Sequence, residues 1–419
     1  MIESILIKSC KVIDPNSRHN QKVVDVLIEN GTIKKIGGNL VFSGETINGS
    51  GKYLSPGFFD MNVSFGEPGL ETKEDFETGS KTAIAGGFTG LAIMPHNLPT
   101  TDSKSQVEFL INKANGNLVD IYPYGCLSQK REGKDLAELF DMKNSGAIAF
   151  TDGDKPIQDA GLMERALLYA KGFDALVLSY PEDGSIAGKA KMNEGAMSTL
   201  LGMKGIPSLA EELMVVRDLY LTEYTESKVH FSTISTAHSV ELIKAAKKKG
   251  IKVTCDVAVH HLVLTDEAVK DFDSNYKVKP PLRTLKDVKA LIKGLKEGVI
   301  DAVVSQHTPQ EIEFKEVEFE IAKYGILGLQ TVLPIMLKAG FTVEEVVEKL
   351  SIKPREILGL QIPKIEEEQK ANLVLFNEEE WLYNQDTNFS KSANTPFLNK
   401  HLKGKIWLTC NNDQIIVSN

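Results

Sequence analysis

From Pro56 to about residue 340, short apolar runs alternate with amphipathic helical patterns, and no other feature of the chain restricts its fold so far. The runs fall at 57–63, 88–94, 120–124, 147–151, 175–179, 228–231, 252–257 and 300–305. Helical patterns at 72–85, 102–114, 162–171, 208–224, 239–249 and 285–295 separate most of them. Such alternation is the signature of βαβ units around a parallel sheet. Eight units over about 285 residues predict an α/β fold whose main domain is a (β/α)8 TIM barrel.

The ends of the chain have a different character. Two apolar runs at 23–29 and 32–36 flank Asn30-Gly31, a strong hairpin signal. Runs at 371–376 and 405–408 are strand-like again, so two β-rich termini flank the barrel. A chain of 419 residues with 42% hydrophobic and 25% charged residues is globular rather than disordered. Its net charge of -9, with no basic run beyond Lys247-Lys248-Lys249, argues against a nucleic-acid partner. Cys10, Cys126, Cys255 and Cys410 are too far apart in sequence for a zinc knuckle or a disulfide framework, and read as buried thiols. The longest uncharged stretch, 82–101, is broken by Gly86, Gly87, Gly90, Pro95 and Pro99, so no membrane span is expected. With Glu3 where a signal peptide needs apolar residues, the expected compartment is the cytoplasm.

Catalytic groups of a TIM barrel lie at the C-terminal ends of its strands. Those ends offer Asn62 and Ser64, His96 and Asn97, Ser128, then Asp152, Gly153 and Asp154. Tyr180, Glu182, Asp183, Ser232 and Thr233 follow, then His260, His261, Gln306 and His307. Transition metals need several convergent imidazoles or carboxylates, yet no His-x-His occurs in the chain. His260 and His261 are adjacent, so in an extended segment they face opposite ways and cannot share one ion. Asp152-Gly153-Asp154 is either a tight turn or an acid pair, and turn chemistry is the simpler reading. Glu182-Asp183-Gly184 is likewise a base or a solvated loop. The chain has no nucleophile elbow, Walker loop or dinucleotide fingerprint.

Several motifs occur in a fixed order. They are Pro56-Gly57-Phe58-Phe59-Asp60-Met61, Gly66-Glu67-Pro68-Gly69, the run from Thr78 to Thr89, and Met192-Asn193-Glu194-Gly195. Ile206-Pro207-Ser208-Leu209-Ala210-Glu211-Glu212, His260-His261-Leu262, Pro280-Pro281-Leu282-Arg283 and Asn394-Thr395-Pro396-Phe397 complete the series. Together they make the chain resemble, over essentially its whole length, the class I dihydroorotases of the amidohydrolase superfamily. The resemblance implies a barrel (53–362) beside a small β-sandwich built from 1–52 and 363–419. It also implies zinc and the interconversion of carbamoyl aspartate and dihydroorotate in pyrimidine biosynthesis.

Carried over position by position, the resemblance puts Asn62 and Ser64 where the family has its first-strand His-x-His. Gly153 stands at the strand-four ligand, Tyr180 at the strand-five His, and Thr233 at the strand-six His, while His230 of that motif is kept. Gln306 replaces the catalytic Asp of strand eight. Of the substrate positions, Gly66, His96, Lys279 and Gln310 are changed, and only Tyr324-Gly325 is retained. A bound metal lowers the pKa of water from about 15.7 to about 7. Without it, on the order of 12 kcal/mol must come from elsewhere, and the Gln306 amide has no titration near neutral pH.

The expectation is therefore a dihydroorotase-like pseudoenzyme without cofactor or metal. By analogy with family members, it would scaffold aspartate transcarbamoylase or an active dihydroorotase and form a homodimer. The alternative is an active cyclic amidohydrolase whose atypical metal site uses His96, Asp152, Asp154, His260 and His307. A third reading is a ligand-holding cleft with Lys279 and Arg283 for a carboxylate, beside Tyr324 and Gly325.

Overall fold

Apolar runs without alternation can be buried as strands only when both faces of the sheet are covered. That is how the computed structural model, which describes residues 4–418, arranges them. Five strands precede the barrel: β1 (Ser4–Val12), β2 (Val23–Glu29), β3 (Thr32–Gly37), β4 (Glu45–Asn48) and β5 (Tyr53–Pro56). The barrel begins with β6 (Phe58–Val63), β7 (Phe88–Ile93), β8 (Asp120–Pro123) and β9 (Val177–Ser179). A small parallel pair, β10 (Met192–Asn193) and β11 (Gly205–Ile206), interrupts it before β12 (Val229–Phe231), β13 (Val253–Ala258) and β14 (Ala302–Val304). β15 (Leu373–Tyr383), β16 (Lys400–Asn411) and β17 (Gln414–Val417) end the chain.

The barrel consists of two parallel arcs, β6-β7-β8 and β9-β12-β13-β14. The apolar run at 147–151 joins them on one side. Instead of a full strand it forms only bridges from Phe150 to Gly125 and Val177, because the chain turns away at Asp152-Gly153. On the other side Val63 pairs with His307, and the Ser64 amide donates to the His307 carbonyl at 2.8 Å. Phe59, Met61, Met94, Tyr124, Leu178 and Val304 fill the interior. This is a packed core, so the chemistry of the domain is confined to the strand ends.

The covering helices start where side-chain caps dictate. The helix expected from residue 72 begins at Phe76, because the Asp75 carboxylate accepts the Thr78 amide at 2.8 Å in a capping box. Thr236 likewise accepts from the Ser239 amide and starts a helix at Ala237. No helix among the described residues is long and apolar enough to cross a membrane.

The termini form one hydrogen-bonded ladder, β17-β16-β15-β5-β1-β2-β3, with β4 beside β1. This is the β-sandwich domain; Ile5, Ile28, Ile33, Leu373, Leu408 and Ile415 share its core. β5 lies beyond residue 52, yet it pairs with both β1 and β15, so the terminal sheet reaches Pro56. Asn30 (φ 48°) and Gly31 (φ 65°) supply the two left-handed residues that the β2–β3 turn requires.

All four cysteines are buried and free. Burial pushes the Cys10 and Cys410 thiols up to about 12 and raises those of Cys126 and Cys255 as well. The folded protein is therefore expected to resist a thiol reagent at neutral pH, with all four sites reacting in denaturant. Rapid labelling of a site in the native protein would contradict this burial.

Candidate functional site

The C-terminal ends of the barrel strands surround a cleft of about 210 Å³. Asn62 and Ser64 enter it from the end of β6, and Tyr180, Ser232 and Gln306 from the ends of β9, β12 and β14. Asn62 donates its side-chain amide to Ser232 Oγ at 3.3 Å, closing the floor with a neutral contact. Thr233 is buried and does not line the cleft.

One wall is a chain of polar contacts. Ser64 Oγ lies 3.1 Å from His96 Nδ1, and His96 Nε2 lies 3.5 Å from Asp154 Oδ1. Asp154 is also ion-paired with Arg131, whose Nε donates to the Asp152 carbonyl at 2.9 Å. Burial, then the nearby Arg131 charge, hold the His96 imidazole below its ordinary pKa, so it is neutral at pH 7. Partial desolvation would raise the Asp154 carboxyl, whose side chain is 58% exposed, but the groups around it, Arg131 and Lys279 among them, outweigh that and keep it ionised. Gly153 has φ 60°, and a Cβ there would lie 2.1 Å from His96 Nε2. The His96 ring therefore occupies the space that any side chain at 153 would need.

The opposite wall is also self-satisfied. Lys279 Nζ lies 3.0 Å from Glu182 Oε1 and 5.4 Å from the centre of the Tyr180 ring. Gln306, in a left-handed conformation (φ 52°), donates Nε2 to the Lys279 carbonyl at 2.8 Å. The group at the expected catalytic carboxylate thus serves as a backbone tether. Tyr324 and Gly325 line the cleft from the loop after β14, as does Gln310, whose Nε2 donates to the Tyr324 carbonyl at 2.7 Å.

Four expected cleft residues lie elsewhere. Asp152 turns away and accepts the Leu127 and Ser128 amides at 2.9 and 3.0 Å. Arg283 is sealed among Asn193, the Ile206 carbonyl and Ser235, at 2.9 to 3.0 Å, with Glu211 at 3.7 Å. His307 is buried; its Nδ1 accepts the Gly328 amide at 3.2 Å and its Nε2 stands 3.5 Å from Glu74. His260 and His261 are not in an extended segment but on the single 3-10 turn Val259–Leu262, with ring centres 4.6 Å apart. Both are buried outside the cleft, and burial lowers the pKa of each. The kept His230 is structural too, held between Thr254 and Asp256 at 2.8 and 3.0 Å.

Arg131 and Lys73 also line the cleft and were not expected there. Arg131 ends the short 3-10 turn Gln129–Arg131 and Lys73 sits in a turn, segments too short for periodicity, and only their positive charge could have pointed to them. A catalytic zinc takes at least three protein ligands in one geometry. Among the described residues no three His, Cys, Asp or Glu side chains gather within reach of one ion. The residues present therefore do not fit the zinc that the resemblance implies, and the atypical set from His96 to His307 is not brought together.

Comparison with known proteins places this geometry in a family. Residues 51–239 match the family model described as dihydro-orotase-like. The chain is 42% identical over 421 residues to a dihydroorotase of Acetivibrio thermocellus, covering 99% of both chains. It is 41% identical to a dihydroorotase of Geotalea daltonii, covering 96% of each. In fold it superposes on the L-hydantoinase of Arthrobacter aurescens with a TM-score of 0.84 at 21% identity, covering 100% of this chain and 96% of that one. The dihydropyrimidinase of Brevibacillus agri gives 0.83 at 22% identity, covering 99% and 95%. With relatives of this identity along nearly its whole length, the chain belongs to the dihydroorotase family.

Proposed function

We propose that this chain is a dihydroorotase-family protein of pyrimidine biosynthesis that has given up metal-dependent hydrolysis and lends its surface to a pathway enzyme, aspartate transcarbamoylase or an active dihydroorotase. One observation carries the reading: the groups at the family's metal and catalytic positions are engaged with one another or removed from the cleft. Asn62 holds Ser232, Ser64 meets His96, the His96 ring fills the space beside Gly153, and Gln306 holds the Lys279 backbone. The Asn62 and Gln306 amides and the Ser64 hydroxyl cannot act as the general base of ring opening near neutral pH, and the one imidazole among these groups, His96, is a weakened base held between Ser64 and Asp154.

The surface agrees with an assembled protein. The helix Leu209–Thr225 buries one face on the barrel, yet its outer face carries Leu209, Leu213, Tyr220 and Tyr224, the two tyrosines 71% and 76% exposed. A helix apolar on both sides is ordinarily covered on both. We propose that this face joins two copies of the chain, a two-fold contact in which the same patch would meet itself.

The direct test is dihydroorotate hydrolysis by pure protein, with and without excess zinc. No carbamoyl aspartate is expected in either condition, and turnover that follows zinc would overturn the loss of chemistry. Co-elution with aspartate transcarbamoylase or an active dihydroorotase from the same cell tests the scaffold. Elution of both enzymes at unchanged volumes would overturn that part.

A further inference from the structure

The loop after β14 alternates acid and apolar residues: Glu311-Ile312-Glu313-Phe314-Lys315-Glu316-Val317-Glu318-Phe319-Glu320-Ile321. Such alternation ordinarily makes a strand. Here it forms a 3-10 turn at Ile312–Phe314 and then irregular turns. Only Lys315 and Phe319 point inward and are buried, while Ile312 (59% exposed), Phe314, Val317 and Ile321 (65%) face solvent.

The loop is nevertheless held firmly. Lys315 Nζ donates to the carbonyls of Ser274, Lys323 and Gly325 at 2.6, 3.1 and 3.2 Å. Lys277, buried beside it, donates to those of Phe319, Glu320 and Ala322 at 2.5, 3.0 and 2.6 Å. Two desolvated ammonium groups are an expensive way to fix a loop. They present its apolar side chains in one conformation, so binding there loses little further entropy.

A groove of about 1100 Å³ runs between this loop and the segments at 272–275 and 391–394. Phe272 adds a further exposed apolar ring to its wall. Glu311, Glu313, Glu316 and Glu318 line it and form no ion pair among the described residues, Asp273 lines it as well, and Lys391 in its wall is already paired with Asp75. Gln310, 8% exposed, borders the groove with an Oε1 that has no hydrogen-bond partner among the described residues. Unpaired carboxylates repel nucleic acid and anionic lipid alike, which leaves a cationic polypeptide as the complementary partner.

We infer that the groove beside Glu311–Ile321 docks a basic segment of a partner protein whose apolar side chains alternate with lysine or arginine. The inference deepens the scaffold reading by naming the face used. It needs neither enzyme in order to be tested.

The full-length protein is titrated with labelled peptides of about ten residues, roughly 33 Å when extended. One alternates Lys with Leu, one Lys with Ser and one Glu with Leu. The Lys–Leu peptide is expected to bind, the Lys–Ser peptide about tenfold more weakly or worse, and the Glu–Leu peptide not at all. Ile312→Ser with Val317→Ser, both exposed and in the wall of the groove, should weaken the Lys–Leu peptide by about tenfold at an unchanged unfolding midpoint. Equal binding of Lys–Leu and Lys–Ser, indifference to the double substitution, or no binding would each overturn the inference. A fall in oligomeric mass in the double variant would do the same, by assigning the face to a second copy. These titrations do not depend on co-elution, so either result can fail while the other stands.

Discussion

Replacing Arg283 with alanine is expected to destabilise the protein by about 3–5 kcal/mol, the range for breaking a buried ion pair by removing one partner. The guanidinium joins four parts of the chain. It donates to Asn193 Oδ1 in β10, to the Ile206 carbonyl in β11 and to Ser235 Oγ, and it approaches Glu211 at 3.7 Å. Glu211 is buried and caps the turn after β12 by accepting the Ser235 and Thr236 amides at 2.9 and 3.0 Å. Without the arginine, that carboxylate and the Ile206 carbonyl lose a cationic partner in a site with little water. Arg283→Lys keeps the charge but cannot span three acceptors from one plane, so an intermediate loss is expected. The loss would be read as a lower denaturant midpoint at constant slope. A loss below about 1 kcal/mol would mean that water reaches the site and that Arg283 is free to face a ligand after all.

That outcome bears on how much of the molecule the sequence makes legible. The barrel strands are readable because a strand covered on both faces is a nearly continuous apolar run, complete in β14 and still recognisable in β6 and β7 despite Asp60 and Asn62 in the one and Thr89 in the other. The run at 147–151 has the same composition but pairs only at Phe150, since the length of a ladder depends on where neighbouring strands end. Side-chain direction is harder. Asp152 and His307 follow the ends of apolar runs and Arg283 lies in the long connection after β13, yet each turns to backbone amides, carbonyls or buried carboxylates that no local pattern announces. The adjacent His260 and His261 depend on local conformation: a 3-10 turn sets their rings side by side where a strand would separate them. Arg131 and Lys73 reach the cleft from a single 3-10 turn and a short turn, where periodicity has nothing to report. Positions set by motif register are a different matter, and Asn62, Ser64, Gly153, Tyr180 and Gln306 all line the cleft.

Restoring ligands one or two at a time is expected not to restore the metal. Asn62→His with Ser64→His supplies two imidazoles, but the other positions that the resemblance gives to ligands still hold Gly153, Tyr180 and Thr233, and zinc needs a third protein ligand in the same geometry. After dialysis the double variant should carry no stoichiometric zinc, and tight binding would show that a third donor is already in place. Gly153→Asp is the natural addition, and the structure opposes it. A Cβ at 153 meets the His96 ring at 2.1 Å, and φ 60° is a conformation few side chains adopt without strain. Alone it is expected to destabilise the fold by about 1–3 kcal/mol, as overpacking does. His96→Asn clears that space, at the loss of the Ser64 and Asp154 contacts. In combination the two changes should cost less than their sum, with a coupling of about 1 kcal/mol or more in a double-mutant cycle. Strict additivity would mean that the His96 ring swings aside freely and does not fill the site. Coupling of that size would tie the glycine at 153 to the histidine at 96 as one replacement. Any variant meant to hold zinc at these positions would then have to change both residues before a ligand at 62 or 64 could matter.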